Sequence, residues 1–140
     1  TLRTLVRNAL RMRADRLIVG EVRGPEVFDM LQAMNTGHAG SLTTVHANSA
    51  TDALRRLESL VLMAGFPLPS SAIRDLLGGT VHVIVHVKRF GDGMRRVVSI
   101  DEVDVPADGQ VTARSVYRYA DGVHAATGQP SRWEGDAGDA

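Results

Sequence analysis

Apolar residues recur along the first half of the chain at the spacing of amphipathic helices, and two short apolar runs separate these stretches. The helical spacing predicts helices over 2–12 and 25–36, and a third that starts after a capping box at Ser49 and runs to Ala64. The runs at 16–22 and 41–46 predict two strands, the first of them buried on both faces. Strands that alternate with helices favour a parallel sheet, in which both strands end at the same edge.

The second half of the chain has the pattern of antiparallel strands that follow one more helix. A short fourth helix is predicted at 73–77, where two glycines close it. Residues 80–88 alternate strictly around four valines, and the chain turns at 91–93 and returns through 94–105, which predicts a β-hairpin. A weaker strand is predicted at 111–119.

The same patterns predict which side chains are buried. In the hairpin the valines are expected to be the buried face, so that His82 and His86 lie on the less buried face. These two histidines would be roughly 13 Å apart along the strand, which is too far for one metal ion. Five scattered methionines are predicted to fill gaps in the core, namely Met12, Met30, Met34, Met63 and Met94.

Composition argues against several classes of function. Lys and Arg together number 16, as do Asp and Glu, so the chain has no net charge that would draw it as a whole onto nucleic acid or an anionic bilayer. It has no cysteine, which excludes disulfides and thiolate metal sites and fits a reducing compartment. No apolar run is long enough to cross a bilayer, and we expect a cytoplasmic location without a transmembrane segment.

Two side chains that could take part in catalysis lie at the ends of the two predicted parallel strands. Glu21 follows the first strand, where a carboxylate can orient a water for attack on a phosphoryl group or hold a water of a Mg²⁺ shell. The alternative is an ion pair of Glu21 with Arg16 or Arg23. His46 ends the second strand and His38 precedes it, and their imidazoles could contact a terminal phosphate or serve a structural role.

Three segments resemble the secretion ATPases of the Tad/CpaF pilus-assembly branch. The likeness runs from Thr1 to about Val105 and is loose over the last 35 residues. The segments are Arg11-Met12-Arg13-Ala14-Asp15-Arg16-Leu17-Ile18-Val19-Gly20-Glu21-Val22-Arg23-Gly24, Met30-Leu31-Gln32-Ala33-Met34-Asn35-Thr36-Gly37-His38 and Gly40-Ser41-Leu42-Thr43-Thr44-Val45-His46-Ala47-Asn48-Ser49.

The resemblance implies a role for several residues. Glu21 is then the catalytic glutamate of a Walker B box, and His46, in the His box, is the second catalytic residue and senses the γ-phosphate. His38 and Thr44 would sense the nucleotide, and Mg²⁺ would be held through water near Glu21 with no direct protein ligand. Arginines that could act across a subunit boundary, for which solvated surface positions are the alternative, are Arg11, Arg13, Arg23, Arg55 and Arg56.

The resemblance also implies an architecture. We expect an α/β fold, namely part of a RecA-like P-loop NTPase domain with a mostly parallel sheet and a C-terminal antiparallel hairpin. The protein would form a homohexamer, use ATP and Mg²⁺, and attach to the inner face of the cytoplasmic membrane through a platform protein of a pilus or secretion system. Residues 1–105 would be the C-terminal part of the ATPase domain, 106–120 an extension with a possible strand, and 121–140 a flexible acidic tail.

One motif of such ATPases is not in this sequence. No Gly-x-x-x-x-Gly-Lys-Ser/Thr occurs, so the loop that cradles the β- and γ-phosphates is missing. The chain also opens at Thr1 inside an amphipathic pattern, which indicates a piece of a longer protein. We therefore expect these residues alone to bind ATP poorly and to hydrolyse it negligibly.

Several alternatives stay open. The type IV secretion (conjugation) ATPases share the Gly-Ser-x-Thr-Thr-x-His-Ala-Asn pattern, whereas Arg11-Met12-Arg13 and 34–38 favour the Tad branch. The lack of cysteine argues against the branches that carry a cysteine-rich zinc insertion. A non-catalytic interaction module is a further alternative, while the balanced charge and few aromatic residues argue against nucleic-acid translocation.

Overall fold

The structure is a computed structural model that describes residues 1–38, 40–105 and 109–133. Two parallel strands form one small sheet, and four antiparallel strands form a second sheet in sequential order. The elements are α1 (Leu2–Leu10), β1 (Ile18–Val19), α2 (Glu26–Asn35), β2 (Leu42–Thr43), α3 (Ala50–Met63), α4 (Ser70–Thr80), β3 (Val83–Arg89), β4 (Arg95–Asp104), β5 (Thr112–Ala120) and β6 (Val123–Ala126).

Side-chain contacts fix where the helices begin and how they are packed together. The hydroxyl of Ser49 accepts a hydrogen bond from the backbone N–H of Asp52 at 3.1 Å, which starts α3 at the predicted cap. Asp29 on α2 accepts from Arg3 Nε at 2.5 Å and from Arg7 Nε at 2.7 Å, and this ties α1 to α2. Asp29 is buried, so these two ion pairs satisfy a charge that would otherwise be costly.

The hydrophobic core lies among the four helices and β1. Its fully buried members include Val6 on α1, Met30 on α2, Val61 on α3 and Ile73 on α4. The predicted helices are confirmed, with two differences in length. The first ends at Leu10, and the fourth begins at Ser70 and continues through both glycines to Thr80. Gly78 packs against Val105, whose side chain a Cβ would overlap.

The parallel pairing of the first two strands is confirmed, but the expectation that the first is buried on both faces is wrong. Ile18 is paired with Leu42 in the register of the two strands, and the two side chains are 75% and 59% exposed. Val19 on the opposite face of β1 is buried in the core. The reason is that the helices of the described chain cover only one face of this sheet.

The antiparallel hairpin is confirmed, whereas the prediction of its buried face is wrong. Val83, Val85 and Val87 are between 43% and 53% exposed, while Ile84 and His86 on the other face are half-buried. The methionines show a similar split: Met30 is buried and Met34 is half-buried. Contrary to the prediction of core packing, three methionines are largely exposed, namely Met12, Met63 and Met94.

The segment predicted to be a flexible tail contains ordered structure where it is described. Val123–Ala126 forms β6 on the edge of β5, and the chain then folds back over β4. There the hydroxyl of Ser131 donates to the carboxylate of Glu102, and the ring of Trp133 meets that of His82 edge-on with centroids 6.0 Å apart. Residues 134–140 of the predicted tail and 106–108 of the predicted extension lie outside the described residues.

Two arginines and two acids hold this returning segment. Arg114 Nη2 lies 3.1 Å from Glu102 Oε2, and Arg114 Nε lies 2.8 Å from Asp104 Oδ2. Arg132 donates its backbone N–H to Glu102 at 3.2 Å and places its guanidinium 2.9 Å from Asp104 Oδ1. The network therefore joins β4, β5 and the segment that follows β6.

This network makes stability depend on acid pH. The hydrogen bond from the Ser131 hydroxyl and the charge of Arg114 lower the pKa of Glu102, and the hydrogen bond from Arg114 lowers that of Asp104, although burial opposes both. Because both pKa values are lower in the folded state, the stabilisation is complete above the unfolded values of about 4. It is lost as pH falls below them. We expect urea unfolding to show lower stability at acid pH than at neutral pH; a flat profile would contradict the network.

Candidate active site

Backbone pairing between the two parallel strands continues past their formal ends and positions the candidate residues. The N–H of Val22 donates to the carbonyl of Thr44 at 3.0 Å, and the Thr44 hydroxyl donates to the carbonyl of Gly20 at 2.5 Å. Glu21 therefore lies between two residues that are both anchored to Thr44. Its backbone is fixed at the carboxyl edge of the sheet, where ligands bind in open α/β folds.

Glu21 and His46 meet at this edge. His46 Nε2 lies 3.4 Å from Glu21 Oε1, and the two side chains are 86% and 36% exposed, respectively. The alternative in which Glu21 pairs with Arg16 or Arg23 is not found among the described residues, where the Glu21 carboxylate lies against the ring of His46. A carboxylate acceptor and an imidazole thus share one solvent-accessible place, where they could orient a water and contact an oxygen of a ligand.

A buried acid supports the loop that follows Glu21, and the sequence analysis missed its role. Glu26 Oε1 accepts hydrogen bonds from the backbone N–H groups of Arg23 at 2.8 Å and Gly24 at 2.9 Å. Burial opposes ionisation of Glu26, but these hydrogen bonds and the charge of Arg23 outweigh it and lower the pKa of the carboxyl. An acid in the first helical turn after Gly24-Pro25 was the available signal.

The structure places His38 away from the pair. Its Nδ1 lies 3.3 Å from the carbonyl of Ala33 at the end of α2, and its own carbonyl accepts from the hydroxyl of Ser41 at 2.7 Å. That hydroxyl in turn accepts from the N–H of Leu17, just before β1 begins. His38 therefore lies at the amino end of the strands, whereas Glu21 and His46 lie at the carboxyl end.

The five candidate arginines are all exposed, and none contacts Glu21 or His46 in the described part of the chain. Arg23 follows the site directly, and its backbone is held by Glu26. Arg55 Nη1 lies 3.8 Å from Asp52 Oδ1, a distance typical of a weak surface pair. The remaining three have no contacting partner among the described side chains, namely Arg11, Arg13 and Arg56.

A cleft of about 610 Å³ lies beside the pair, between β2 and β3. Side chains of α2 and α3 line one side, for example Met30 and Leu57, and Val83 and Val85 line the other. His46 lies at the same cleft. In the described sheets β2 pairs with β1 alone and β3 with β4 alone, so that both strands present an unpaired edge to this apolar space.

The residues present fit part of a nucleotide site. One carboxylate and one imidazole at a solvent-accessible strand end suit the outer phosphate and a water held near Mg²⁺. No group of three possible metal ligands occurs among the described residues, and the sequence contains no phosphate-binding loop. None of the helices in the ranges that the structure covers is long and apolar enough to cross a membrane.

Comparison with known proteins places the chain in a family. Residues 1–116 match the type II/IV secretion system protein family. A protein of Mycobacterium tuberculosis named as a conjugal transfer protein is 47% identical over 117 residues, which are 84% of this chain and 32% of that protein. The conjugal transfer protein TrbB of Rhizobium radiobacter is 42% identical over 99 residues, which are 69% of this chain and 29% of TrbB.

Solved structures agree with this assignment. The VirB11 ATPase from the Brucella suis type IV secretion system, crystallised with sulphate, is 36% identical and superposes with a TM-score of 0.66 over 71% of this chain and 32% of that one. The Legionella pneumophila ATPase DotB is 22% identical and superposes with a TM-score of 0.53. The superposition covers 83% of this chain and 27% of the DotB chain. DotB supports the fold alone.

The chain therefore belongs to the type II/IV secretion system protein family and has the mixed α/β fold of part of an ATPase domain. It spans about a third of the length of the curated relatives that it matches.

Proposed function

We propose that this chain is the C-terminal part of the motor domain of a secretion ATPase, and that Glu21 and His46 act together at the terminal phosphate. The observation that supports this most is the 3.4 Å distance between His46 Nε2 and Glu21 Oε1 at the ends of two parallel strands. The match to secretion ATPases over most of the chain supports the same reaction class.

Each residue has a role in this proposal. Glu21 accepts a hydrogen bond from the attacking water and orients it, and the ionised carboxylate can take its proton. His46 donates a hydrogen bond to an oxygen of the terminal phosphate, and Thr44 holds the backbone on both sides of Glu21. Bound Mg²⁺-ATP would supply the phosphoryl group, and its Mg²⁺ would neutralise part of the negative charge on the phosphates.

The rest of the site is proposed to come from chain outside these 140 residues. The unpaired edges of β2 and β3 border an apolar cleft, and Ile18 and Leu42 are exposed on the parallel sheet. A strand placed in the cleft parallel to β2 would end close to His46. A glycine-rich loop at the end of that strand would bring the β- and γ-phosphates to the pair.

Two branches of the family are candidates for the whole protein. The relatives named for conjugal transfer and type IV secretion favour a type IV secretion motor. Arg11-Met12-Arg13 and 34–38 favour a Tad/CpaF motor for pilus assembly. Either would work as a homohexamer on the cytoplasmic side of the membrane, against an inner-membrane platform protein, with exposed arginines such as Arg23 and Arg55 at subunit boundaries.

Steady-state ATP turnover tests the proposal. We expect the full-length gene product to hydrolyse ATP with Mg²⁺, and the isolated 140 residues to be at least about 100-fold slower, because the phosphate cradle is missing. Binding of a fluorescent ATP analogue would be measured in parallel. Equal turnover by the isolated chain would contradict the proposed missing cradle. A full-length protein that binds the analogue and never hydrolyses ATP would instead indicate a non-catalytic module.

A further inference from the structure

The end of the β3–β4 hairpin concentrates positive charge at positions that oppose each other. In this segment, residues 88–96, here called the hairpin tip, the register pairs Lys88 with Arg96 and Arg89 with Arg95. Like charges directly opposite each other on neighbouring strands destabilise a hairpin. The chain as a whole has no net charge, so this local excess is not a consequence of composition.

Among the residues that the structure describes, one of the four cations in the hairpin tip has a counter-charge. Arg96 lies 3.1 Å and 2.7 Å from the two carboxylate oxygens of Asp92, and its guanidinium lies over the ring of Phe90 at 5.1 Å. Lys88, Arg89 and Arg95 are exposed and form no ion pair with any described residue.

At the other end of the same sheet, arginines are paired with carboxylates. Near its other end Arg114 and Arg132 each contact both Glu102 and Asp104. Arg118 on β5, opposite Ser99, is also exposed and without a carboxylate partner in the described chain. Uncompensated charge is thus concentrated towards the hairpin tip, where an external anionic partner would neutralise it.

Hydrogen bonds close the turn of the hairpin tip, which also carries an exposed apolar side chain. The N–H of Phe90 donates to the carbonyl of Met94 at 2.8 Å, and the N–H of Met94 donates to Asp92 Oδ1 at 2.9 Å. Met94 is 59% exposed. An exposed apolar side chain on the same hairpin tip as four cations suits a bilayer interface, because the apolar group can enter the headgroup region while Lys and Arg contact lipid phosphates.

We propose that the hairpin tip docks on the surface of an anionic phospholipid bilayer. Nucleic acid is disfavoured as the partner because the rings of Phe90 in the tip and Tyr119 beside it are not free to stack on bases. The two rings contact each other edge-on at 5.5 Å, and both lie under Arg96. This docking rests on the membrane-side location in the proposed function and adds the surface that makes the contact.

Co-sedimentation with lipid vesicles tests the docking. Full-length gene product would be mixed with vesicles of phosphatidylcholine alone or with phosphatidylglycerol added. We expect binding only to the anionic vesicles, weakened by salt. The double variant Arg89→Gln/Arg95→Gln should weaken the partition about 30-fold, and Met94→Ser a few-fold. The control Arg16→Gln/Arg74→Gln removes the same charge from positions before β1 and on α4, outside the hairpin tip, and should leave vesicle binding unchanged.

Two further measurements separate a loss of docking from unfolding and from a loss of nucleotide binding. Arg89→Gln/Arg95→Gln removes one opposed pair of like charges, so its stability in urea should be equal to or higher than that of the parent. A loss of vesicle binding then cannot be attributed to unfolding. ATP-analogue binding by the same variant should be unchanged, so that failure of docking and failure of the proposed ATPase are separate outcomes.

Three results would overturn the docking proposal. The first is unchanged vesicle binding by Arg89→Gln/Arg95→Gln, and the second is an equal loss in the control Arg16→Gln/Arg74→Gln. The third is binding that depends on these two arginines but is directed to a DNA duplex or to inorganic phosphate and not to vesicles.

Discussion

Replacing Glu21 with Gln in the full-length protein is expected to lower ATP turnover about 1,000-fold while ATP affinity changes only a few-fold. Gln keeps the size of the side chain and can still contact His46, which lies 3.4 Å from the carboxylate. It cannot accept a proton from an attacking water at neutral pH. The proposed phosphate cradle does not include Glu21, so binding of the ground-state nucleotide is retained.

Steady-state turnover and equilibrium binding of an ATP analogue would be measured on the same preparations. The matched control is Glu58→Gln on α3, which removes one carboxylate that pairs with Arg74 at 3.1 Å, away from the strand ends. The control should keep parental turnover. Parental turnover by Glu21→Gln would sink the assignment of Glu21, whereas loss of analogue binding would place this residue in the cradle instead.

Replacing Glu102 with Ala is expected to destabilise the protein by about 3 kcal/mol, because it removes the buried acceptor that Ser131, Arg132 and Arg114 share. The side chain is 2% exposed and accepts from the Ser131 hydroxyl, the Arg132 N–H and Arg114 Nη2. No other described carboxylate except Asp104 contacts these two arginines. The segment after β6 should consequently detach from β4.

Urea unfolding would measure the loss, and the fluorescence of Trp133, the sole tryptophan, would report the detachment through its contact with His82. Glu102→Gln should lose less, because an amide oxygen still accepts from Ser131. As a control, Glu58→Ala breaks a partly exposed ion pair with Arg74 and should cost under about 1 kcal/mol. A loss for Glu102→Ala no larger than for Glu58→Ala would contradict the role of the network.

Local patterns in the sequence predicted most of the elements. Helix caps such as Ser49 and the strict alternation in the hairpin depend on residues that are close together in the sequence. The sequence alone is therefore enough to predict these elements. The superfamily followed from motifs around Glu21 and His46, and the comparisons confirm it. The Tad/CpaF branch stays a proposal, because the relatives are named for conjugal transfer and type IV secretion.

Burial could not be predicted in the same way. Ile18, Val83 and Val85 have apolar side chains in strands, and the pattern alone predicted that they face a core. They are exposed because no described element packs against them, and whether another element covers a strand face cannot be read from the periodicity of that strand.

The sequence by itself determined the order of helices and strands and the types of side chain at the two strand ends, since both depend on short-range periodicity and residue chemistry. The predicted parallel pairing already implied that Glu21 and His46 share one edge, and the tertiary structure gave their 3.4 Å contact. Only the tertiary structure decided that His38 lies at the opposite end, because the turn before β2 sets its position. It likewise decided that Glu102 binds a segment 29 to 30 residues further along the chain. Contacts over such separations depend on how the sheets fold back, which no local pattern encodes.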